Sequence, residues 1–140
     1  KADFVVVNLG TNDNSSFNNP WTDESTGKVY QYQVNDDGTV AESSKKEIYE
    51  GIKKFLYQIR KNNPSAKILW VWGMLKLDKI PAILQNAMED YKKESGDQNV
   101  FSLELDAMED VENHLLDKGS RWHPGPKTHE LAAKKISQNL

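Results

Sequence analysis

Two short segments of this chain combine residue types that could polarise and deprotonate a substrate. The first is Gly10-Thr11-Asn12-Asp13, which directly follows an apolar run, and the second is His123-Pro124, which precedes the last helical pattern. An asparagine amide can donate a hydrogen bond to a developing oxyanion, and one such donor contributes roughly 3–4 kcal/mol to lowering a barrier. A histidine titrates near neutral pH and suits the role of general base. The two segments thus offer an oxyanion donor and a base.

Each segment also has a simple structural explanation. Asn12 and Asp13 are residue types that commonly form turns. His123 could be an ordinary surface histidine before a proline that starts a helix. Neither segment establishes a site alone, so the prediction depends on the elements that position them and on their order.

The elements around these segments alternate between strands and helices. Continuous apolar runs predict buried strands, and apolar residues at helical spacing predict amphipathic helices. The predicted strands are Phe4–Leu9, Lys67–Gly73 and Val100–Leu105, and the predicted helices run from a Ser44/Glu47 capping box to Asn62–Pro64, over Asp78–Lys93 and over Lys127–Asn139. This order favours an α/β fold with a parallel sheet, which binds ligands at its carboxyl edge.

A polar insertion at about residues 14–44 separates the first strand from the first helix. Within it, Val29–Val34 and Thr39–Val40 flank Asn35-Asp36-Asp37-Gly38, which predicts a small hairpin. Loops of this length are often functional. The aromatic side chains that could stack on a sugar ring here or beside His123 are Trp21, Tyr30, Tyr32 and Trp122, whereas Trp70 and Trp72 lie in a predicted strand and are expected in the core.

The composition argues against several classes of partner and of chemistry. The 140 residues fit one domain, and the net charge of −3 gives no reason to expect nucleic acid or an anionic membrane as partner. There is no cysteine, which removes disulfides and thiolate chemistry, and no apolar run reaches the length of a membrane helix. The acidic residues have irregular spacing and no partnering histidine, so we expect a solvated face and neither a metal site nor a cofactor. These are Glu104, Asp106, Glu109, Asp110 and Glu112.

Taken in order, the two segments resemble conserved blocks of one hydrolase superfamily. Residues 5–13 resemble the third block of the SGNH, or GDSL-like, hydrolases, and Trp122-His123-Pro124 with residues 128–132 resembles the fifth. The insertion and the Trp-His-Pro form look closest to carbohydrate esterase family two, whose members remove acetyl groups from plant polysaccharides. The resemblance implies a three-layer α/β/α flavodoxin-like fold, with residues 1–140 as the C-terminal portion of one domain whose N-terminal strands are absent.

The resemblance also implies roles for individual residues. Asn12 matches the oxyanion-hole asparagine, His123 the catalytic base and Gly10 the structural glycine of its block, with Asp13 as loop support. No Gly-Asp-Ser segment occurs in the chain, so the nucleophilic serine is expected upstream. Ser120 occupies the position of the usual triad aspartate, which implies a Ser-His dyad. His129 is expected to be structural.

The expected function is that of a serine esterase which deacetylates carbohydrate, outside the cell or at its surface. The alternatives are a non-catalytic glycan-binding or interaction module on the same fold, or a lipase/acylhydrolase of the same superfamily. The expected partners are acetylated carbohydrate or another small acyl ester, and the missing N-terminal segment or another copy of the chain. The last expectation arises because loss of a central strand would leave an unpaired edge, exposing Val5, Val7, Leu69 or Val71.

Overall fold

A computed structural model describes residues 2–111, 119 and 123–140. The elements alternate as the apolar patterns predict, although several bounds differ. In chain order they are β1 (Phe4–Asn8), α1 (Thr11–Ser15), β2 (Trp21–Thr22), β3 (Val29–Tyr30), α2 (Glu42–Asn62), β4 (Lys67–Trp72), α3 (Ile80–Ser95), β5 (Val100–Glu104), a 3-10 turn (Met108–Asp110) and α4 (Pro126–Ser137).

The three predicted strands form one parallel sheet in the order β1-β4-β5. Val7 lies opposite Trp70, and Trp70 lies opposite Ser102. Helices α2 and α3 make the two crossovers that parallel neighbours require. The carboxyl ends of β1 and β4 therefore meet at one edge of the sheet, where the segment after β1 begins.

Helices cover both faces of the sheet, which confirms the three-layer α/β/α arrangement. On one face, α2 and α3 bury a large apolar cluster that includes Ile68, Trp70 and Trp72. On the other face, Ala132 of α4 packs with Leu69, Val71 and Leu105 in a much smaller cluster. Alternate residues of β4 therefore support different layers, because successive side chains of a strand point to opposite faces. Trp70 and Trp72 are core residues, as predicted.

The edge strand exposes different residues from those expected. Val7, Leu69 and Val71 are buried and Val5 is half-buried, because α2 and α3 cover one face of the sheet and α4 packs on β4 at the other face. Phe4 and Val6 are the exposed apolar residues of β1, at 48% and 42% of their surface. They lie on the α4 side of β1, beyond the reach of that short helix. Among the described residues, β1 pairs with β4 alone.

The predicted capping box is wrong. The N-cap of α2 is Ala41, three residues before Ser44, so the helix begins at Glu42 and Ser44 lies inside its first turn. The Ser44 hydroxyl is buried and accepts a hydrogen bond of 2.8 Å from the backbone N–H of Gln33. This serine thus fastens the insertion to the helix, a long-range role that local spacing does not reveal.

The insertion contains two small antiparallel features where one hairpin was predicted. Val34 and Val40 form an isolated bridge around the predicted Asn35–Gly38 turn, which confirms that turn. The second feature pairs Trp21 with Tyr30 in β2 and β3. It was missed because each strand has only two residues, too few to show an alternating pattern.

None of the described helices combines the length and apolar character needed to cross a bilayer.

Candidate active site

A cavity of about 300 Å³ opens at the carboxyl edge of β1 and β4. It brings together residues from the segment after β1, the loop after β4 and the amino-terminal part of α4, including both Asn12 and His123. Its lining residues are Asn8, Thr11, Asn12, Gly73, Met74, Leu75, His123, Pro124 and His129. The two predicted catalytic residues, which are far apart in sequence, therefore share one cavity in the described structure.

Gly10 makes the turn that brings Asn12 to this cavity. Its φ of 119° lies in the region that favours glycine, and its carbonyl accepts a hydrogen bond from Asn14 N–H at 2.8 Å. A side chain at position 10 would meet Ile80 Cγ2 at 3.3 Å. The chain then turns directly into α1. Asn12 and Asp13 thus lie in a short helix, whereas the sequence predicted a loop.

Asn12 lines two neighbouring spaces, a cavity and a groove. Besides lining the cavity with His123, it lines a groove of about 420 Å³ that runs under the β2–β3 hairpin. Its side chain is exposed and donates no hydrogen bond to another residue in the described part of the chain. The amide is therefore available to a bound molecule. Asp13 is also exposed and lines the groove but not the cavity.

His123 is exposed at the other side of the cavity. Its backbone carbonyl accepts a hydrogen bond from Gly119 N–H at 2.7 Å. A Cβ at position 119 would lie 3.0 Å from the carbonyl oxygen of Pro124, so glycine permits this close approach. Pro124 and Gly125 then lead into α4, which begins at Pro126. The predicted roles of Ser120 and Trp122 fall outside the described residues.

The groove beside Asn12 carries two exposed aromatic rings. Trp21 is 61% exposed, and its ring centroid lies 5.4 Å from that of Tyr30. The Lys28 ammonium sits 4.5 Å above the Tyr30 ring. An aromatic surface with polar neighbours suits a ligand that has both apolar faces and hydroxyl groups. Trp21 therefore lies close to the candidate site, but in the groove and not in the cavity itself.

Tyr32 lies at the base of the groove and is less exposed than Trp21 and Tyr30. It is half-buried, and its ring packs against buried Phe17 at a centroid distance of 5.4 Å. Burial, followed by the nearby carboxylates of Asp13 and Glu47, raises the pKa of its hydroxyl. Tyr32 therefore remains neutral at ordinary pH and can offer a hydroxyl donor at the groove.

Several cavity residues were not predicted as part of the site, among them Asn8, Gly73 and His129. Asn8 is a polar residue at the end of an otherwise apolar strand, and that break in the pattern could have indicated it. Gly73 follows β4 with a φ of 113°, and a Cβ there would lie only 2.5 Å from the Leu105 carbonyl oxygen. His129, expected to be structural, is exposed on the first turn of α4 and lines the cavity. A surface histidine one helical turn after a proline carried no sequence signal for this.

No serine lines this cavity among the residues that the structure describes. Within the same residues, no group of three or more histidines and carboxylates is arranged to hold a metal ion. Two of the acidic residues near β5 instead form ion pairs, Asp106 with Lys135 at 2.9 Å and Asp110 with Lys76 at 3.0 Å. Glu112 lies outside the described residues.

The sequence profile of the GDSL-like lipase/acylhydrolase family matches residues 1–136. A search of curated proteins found no match for this chain.

Three solved structures of esterases are similar to this chain. An acetyl xylan esterase from the rumen bacterium Butyrivibrio proteoclasticus is 36% identical, with a TM-score of 0.87 over 99% of this chain and 36% of its own. An active-site mutant of a family two carbohydrate esterase from Clostridium thermocellum is 25% identical, with a TM-score of 0.68 over 98% of this chain and 34% of its own. A family two carbohydrate esterase from that organism in complex with cellohexaose, 22% identical with a TM-score of 0.64, covers the same shares and supports the fold alone. The chain spans about a third of each of these proteins.

Proposed function

The chain belongs to the GDSL-like lipase/acylhydrolase family, and we propose that it supplies half of the active site of a serine esterase that removes acetyl groups from carbohydrate. The observation that carries this proposal is the cavity that Asn12 and His123 share at the carboxyl edge of the sheet. An oxyanion donor and a base that line one space are two of the three groups that acyl transfer through a serine requires. The nucleophilic serine lies outside these 140 residues in this proposal.

In this mechanism His123 acts as general base and then as general acid. It accepts the proton of the serine hydroxyl while the serine oxygen attacks the ester carbonyl, and then donates it to the departing sugar oxygen. A water molecule, deprotonated by the same imidazole, attacks the acyl-enzyme and releases acetate and the free serine. In both steps the Asn12 amide donates a hydrogen bond to the negatively charged carbonyl oxygen, a contact that is strongest in the transition state.

The groove beside Asn12 supports carbohydrate as the substrate. Trp21 and Tyr30 present ring surface on one side of the groove, and Gln31 and Glu47 offer amide and carboxylate groups that can bind sugar hydroxyls. Because Asn12 lines both spaces, a sugar in the groove would place an ester near the oxyanion donor. Structural relatives are an acetyl xylan esterase and family two carbohydrate esterases. A polysaccharide substrate would place the protein outside the cell or at its surface.

Kinetics of the full-length protein on an acetylated sugar test this function. His123→Ala is expected to lower kcat by about 10²–10⁴, since general base catalysis contributes roughly that factor. Asn12→Ala is expected to lower it by about 10²–10³ through loss of one oxyanion donor. Unchanged hydrolysis by His123→Ala would exclude the role assigned to this histidine.

Binding measurements on the same variants separate catalysis from glycan recognition. Calorimetric titration with an unacetylated oligosaccharide should give the same affinity for wild-type protein and His123→Ala, since the histidine acts on the ester. A wild-type protein that binds the oligosaccharide but hydrolyses no acetyl ester would instead identify a non-catalytic glycan-binding module.

A further inference from the structure

Helix α1, which carries Asn12, is fixed to a distant helix through a single side chain. The Asn14 amide nitrogen donates a hydrogen bond of 2.9 Å to the Asp78 carboxylate. Its amide oxygen accepts hydrogen bonds from the backbone N–H groups of Lys79 at 3.0 Å and Ile80 at 3.3 Å. Both ends of the Asn14 amide are therefore bonded to the segment where α3 begins.

This contact completes the amino-terminal end of α3. The residue at the cap position, Lys79, makes no capping hydrogen bond with its own side chain. The first N–H groups of a helix have no partner within the helix, so an acceptor from elsewhere stabilises them. Asn14 supplies that acceptor from a segment 65 residues away. Hydrogen bonds from Lys79 and then from Asn14 lower the pKa of Asp78, which keeps its carboxylate ionised and available as acceptor.

A second contact holds the other end of α1 against the same place. Gly10, which precedes α1, approaches Ile80 so closely that a Cβ would lie 3.3 Å from its Cγ2 atom. Asn12 lies midway between Gly10 and Asn14, and α1 has only five residues. A helix this short does not hold its shape without tertiary contacts. The direction of the Asn12 side chain consequently depends on how α1 is seated on α3.

We propose that Asn14 is a positioning residue for Asn12, and that its amide clamp on Asp78, Lys79 and Ile80 holds the oxyanion donor in its catalytic orientation. This inference rests on the proposed function, because it assigns Asn14 an effect on catalysis through Asn12. Asn14 itself touches neither the cavity with His123 nor the groove with Trp21. Its influence must therefore act through the geometry of α1.

Steady-state kinetics of full-length variants on an acetyl ester test this inference. Asn14→Ala should lower kcat about 10- to 100-fold with little change in KM, because a misdirected oxyanion donor weakens a contact made in the transition state. Asn63→Ala is the matched control. The side-chain amide of Asn63 likewise bonds a helix end, where it donates to the backbone carbonyl of Ile59 at 3.2 Å, but Asn63 lies at the opposite end of α2 from the site. It should lower the melting temperature and leave kcat unchanged.

A charge exchange distinguishes positioning from simple stabilisation. Asn14→Asp places two carboxylates together and should lose activity, whereas Asn14→Asp combined with Asp78→Asn restores a donor and an acceptor across the contact. The double variant should recover most of the wild-type kcat. Amide hydrogen exchange at Ile80 should be faster in Asn14→Ala and return toward the wild-type rate in the double variant.

The outcomes separate this inference from the proposed function. If Asn12→Ala loses activity while Asn14→Ala keeps the wild-type kcat below its melting temperature, Asn14 is a structural cap and the inference fails alone. If Asn12→Ala retains full activity, or the wild-type protein hydrolyses no acetyl ester, the proposed function fails and the inference with it. An inactive double variant with normal Ile80 exchange would also overturn the inference.

Discussion

The two candidate catalytic side chains are supported from opposite faces of the same sheet. Asn12 lies on α1, which is seated on α3 and hence on the face with the large apolar cluster. His123 precedes α4, which covers the other face through a small cluster around Leu69 and Val71. The first support is a thick layer of two long helices. Among the described residues, the second support is one short helix beside exposed strand residues.

This difference indicates that the two halves of the site respond differently to perturbation. A change on the α2/α3 face should cost more stability, because a densely packed region relaxes little around a lost side chain. A change on the α4 face should cost less stability but shift the segment that carries His123. The sheet joins the halves, since alternate residues of β4 contribute to both clusters.

Matched leucine substitutions on the two faces give the largest expected change in stability. Leu56→Ala, on α2, should lower the free energy of unfolding by about 4–5 kcal/mol, and Leu69→Ala, under α4, by about 3 kcal/mol. Both leucines are almost fully buried, so the difference reports how well each face can close around a cavity. Urea denaturation measures it.

The same pair should rank in the opposite order in kinetics. Below both melting temperatures, Leu69→Ala should reduce kcat more than Leu56→Ala, because Leu69 packs with the helix that follows His123. Equal losses of stability and of kcat in both variants would remove the distinction between the faces.

A smaller loss of stability is expected where α2 meets the turn between α3 and β5. The Arg60 guanidinium contacts both Asp97 carboxylate oxygens, at 2.7 and 3.2 Å, and also donates to the carbonyls of Asn63 and Ala66. Lysine cannot reproduce this forked geometry. Arg60→Lys should therefore lower the free energy of unfolding by about 2 kcal/mol at pH 7, as measured by urea denaturation.

The pH dependence of this pair has a defined sign. Burial raises the pKa of Asp97, but hydrogen bonds from Arg60, the Asn99 N–H and Tyr91 outweigh it, and the net pKa lies below its usual value. The pair thus stabilises the fold above the unfolded pKa of about 3.9, and this stabilisation is lost as the pH falls through the lower folded value. Wild-type protein should lose more stability on acidification below about pH 4 than Asp97→Asn does. Parallel curves for the two proteins would contradict this assignment.

The smallest expected effect concerns the groove and leaves both faces of the sheet intact. Trp21→Ala should raise KM for an acetylated oligosaccharide roughly fivefold, equivalent to about 1 kcal/mol of lost ring contact. Its kcat and melting temperature should not change, because the ring is mostly exposed. Phe101→Ala, an exposed aromatic on β5 outside the groove, is the control and should leave KM unchanged. If Trp21→Ala keeps the wild-type KM, Trp21 does not contact the substrate.

Much of the fold could be predicted because its signals are local. The apolar run of β4 and the helical spacing in α2 and α3 each reflect burial of a single element, so each appears in its own residues. The valine-rich run of β1 reflects the strand preference of valine, although only Val7 is fully buried there. Roles that join distant segments were missed. Ser44 looked like a helix cap but bonds Gln33, and Asn14 looked like a loop residue but caps α3. A serine or asparagine side chain can bond either locally or at long range, and its spacing does not distinguish the two.

The sequence by itself determined the alternation of strands and helices, the glycine turn before Asn12 and the histidine before the last helix, because these depend on local backbone preference and on the period of apolar residues. Only the tertiary structure decided that Asn12 and His123 share a cavity and that Asn8, Gly73 and His129 also line it. It also decided that Phe4 and Val6 are the exposed apolar residues of the edge strand. Those facts depend on which helix covers which part of the sheet. Which helix covers which part of the sheet depends on packing between segments far apart in the chain, so no local sequence pattern predicts it.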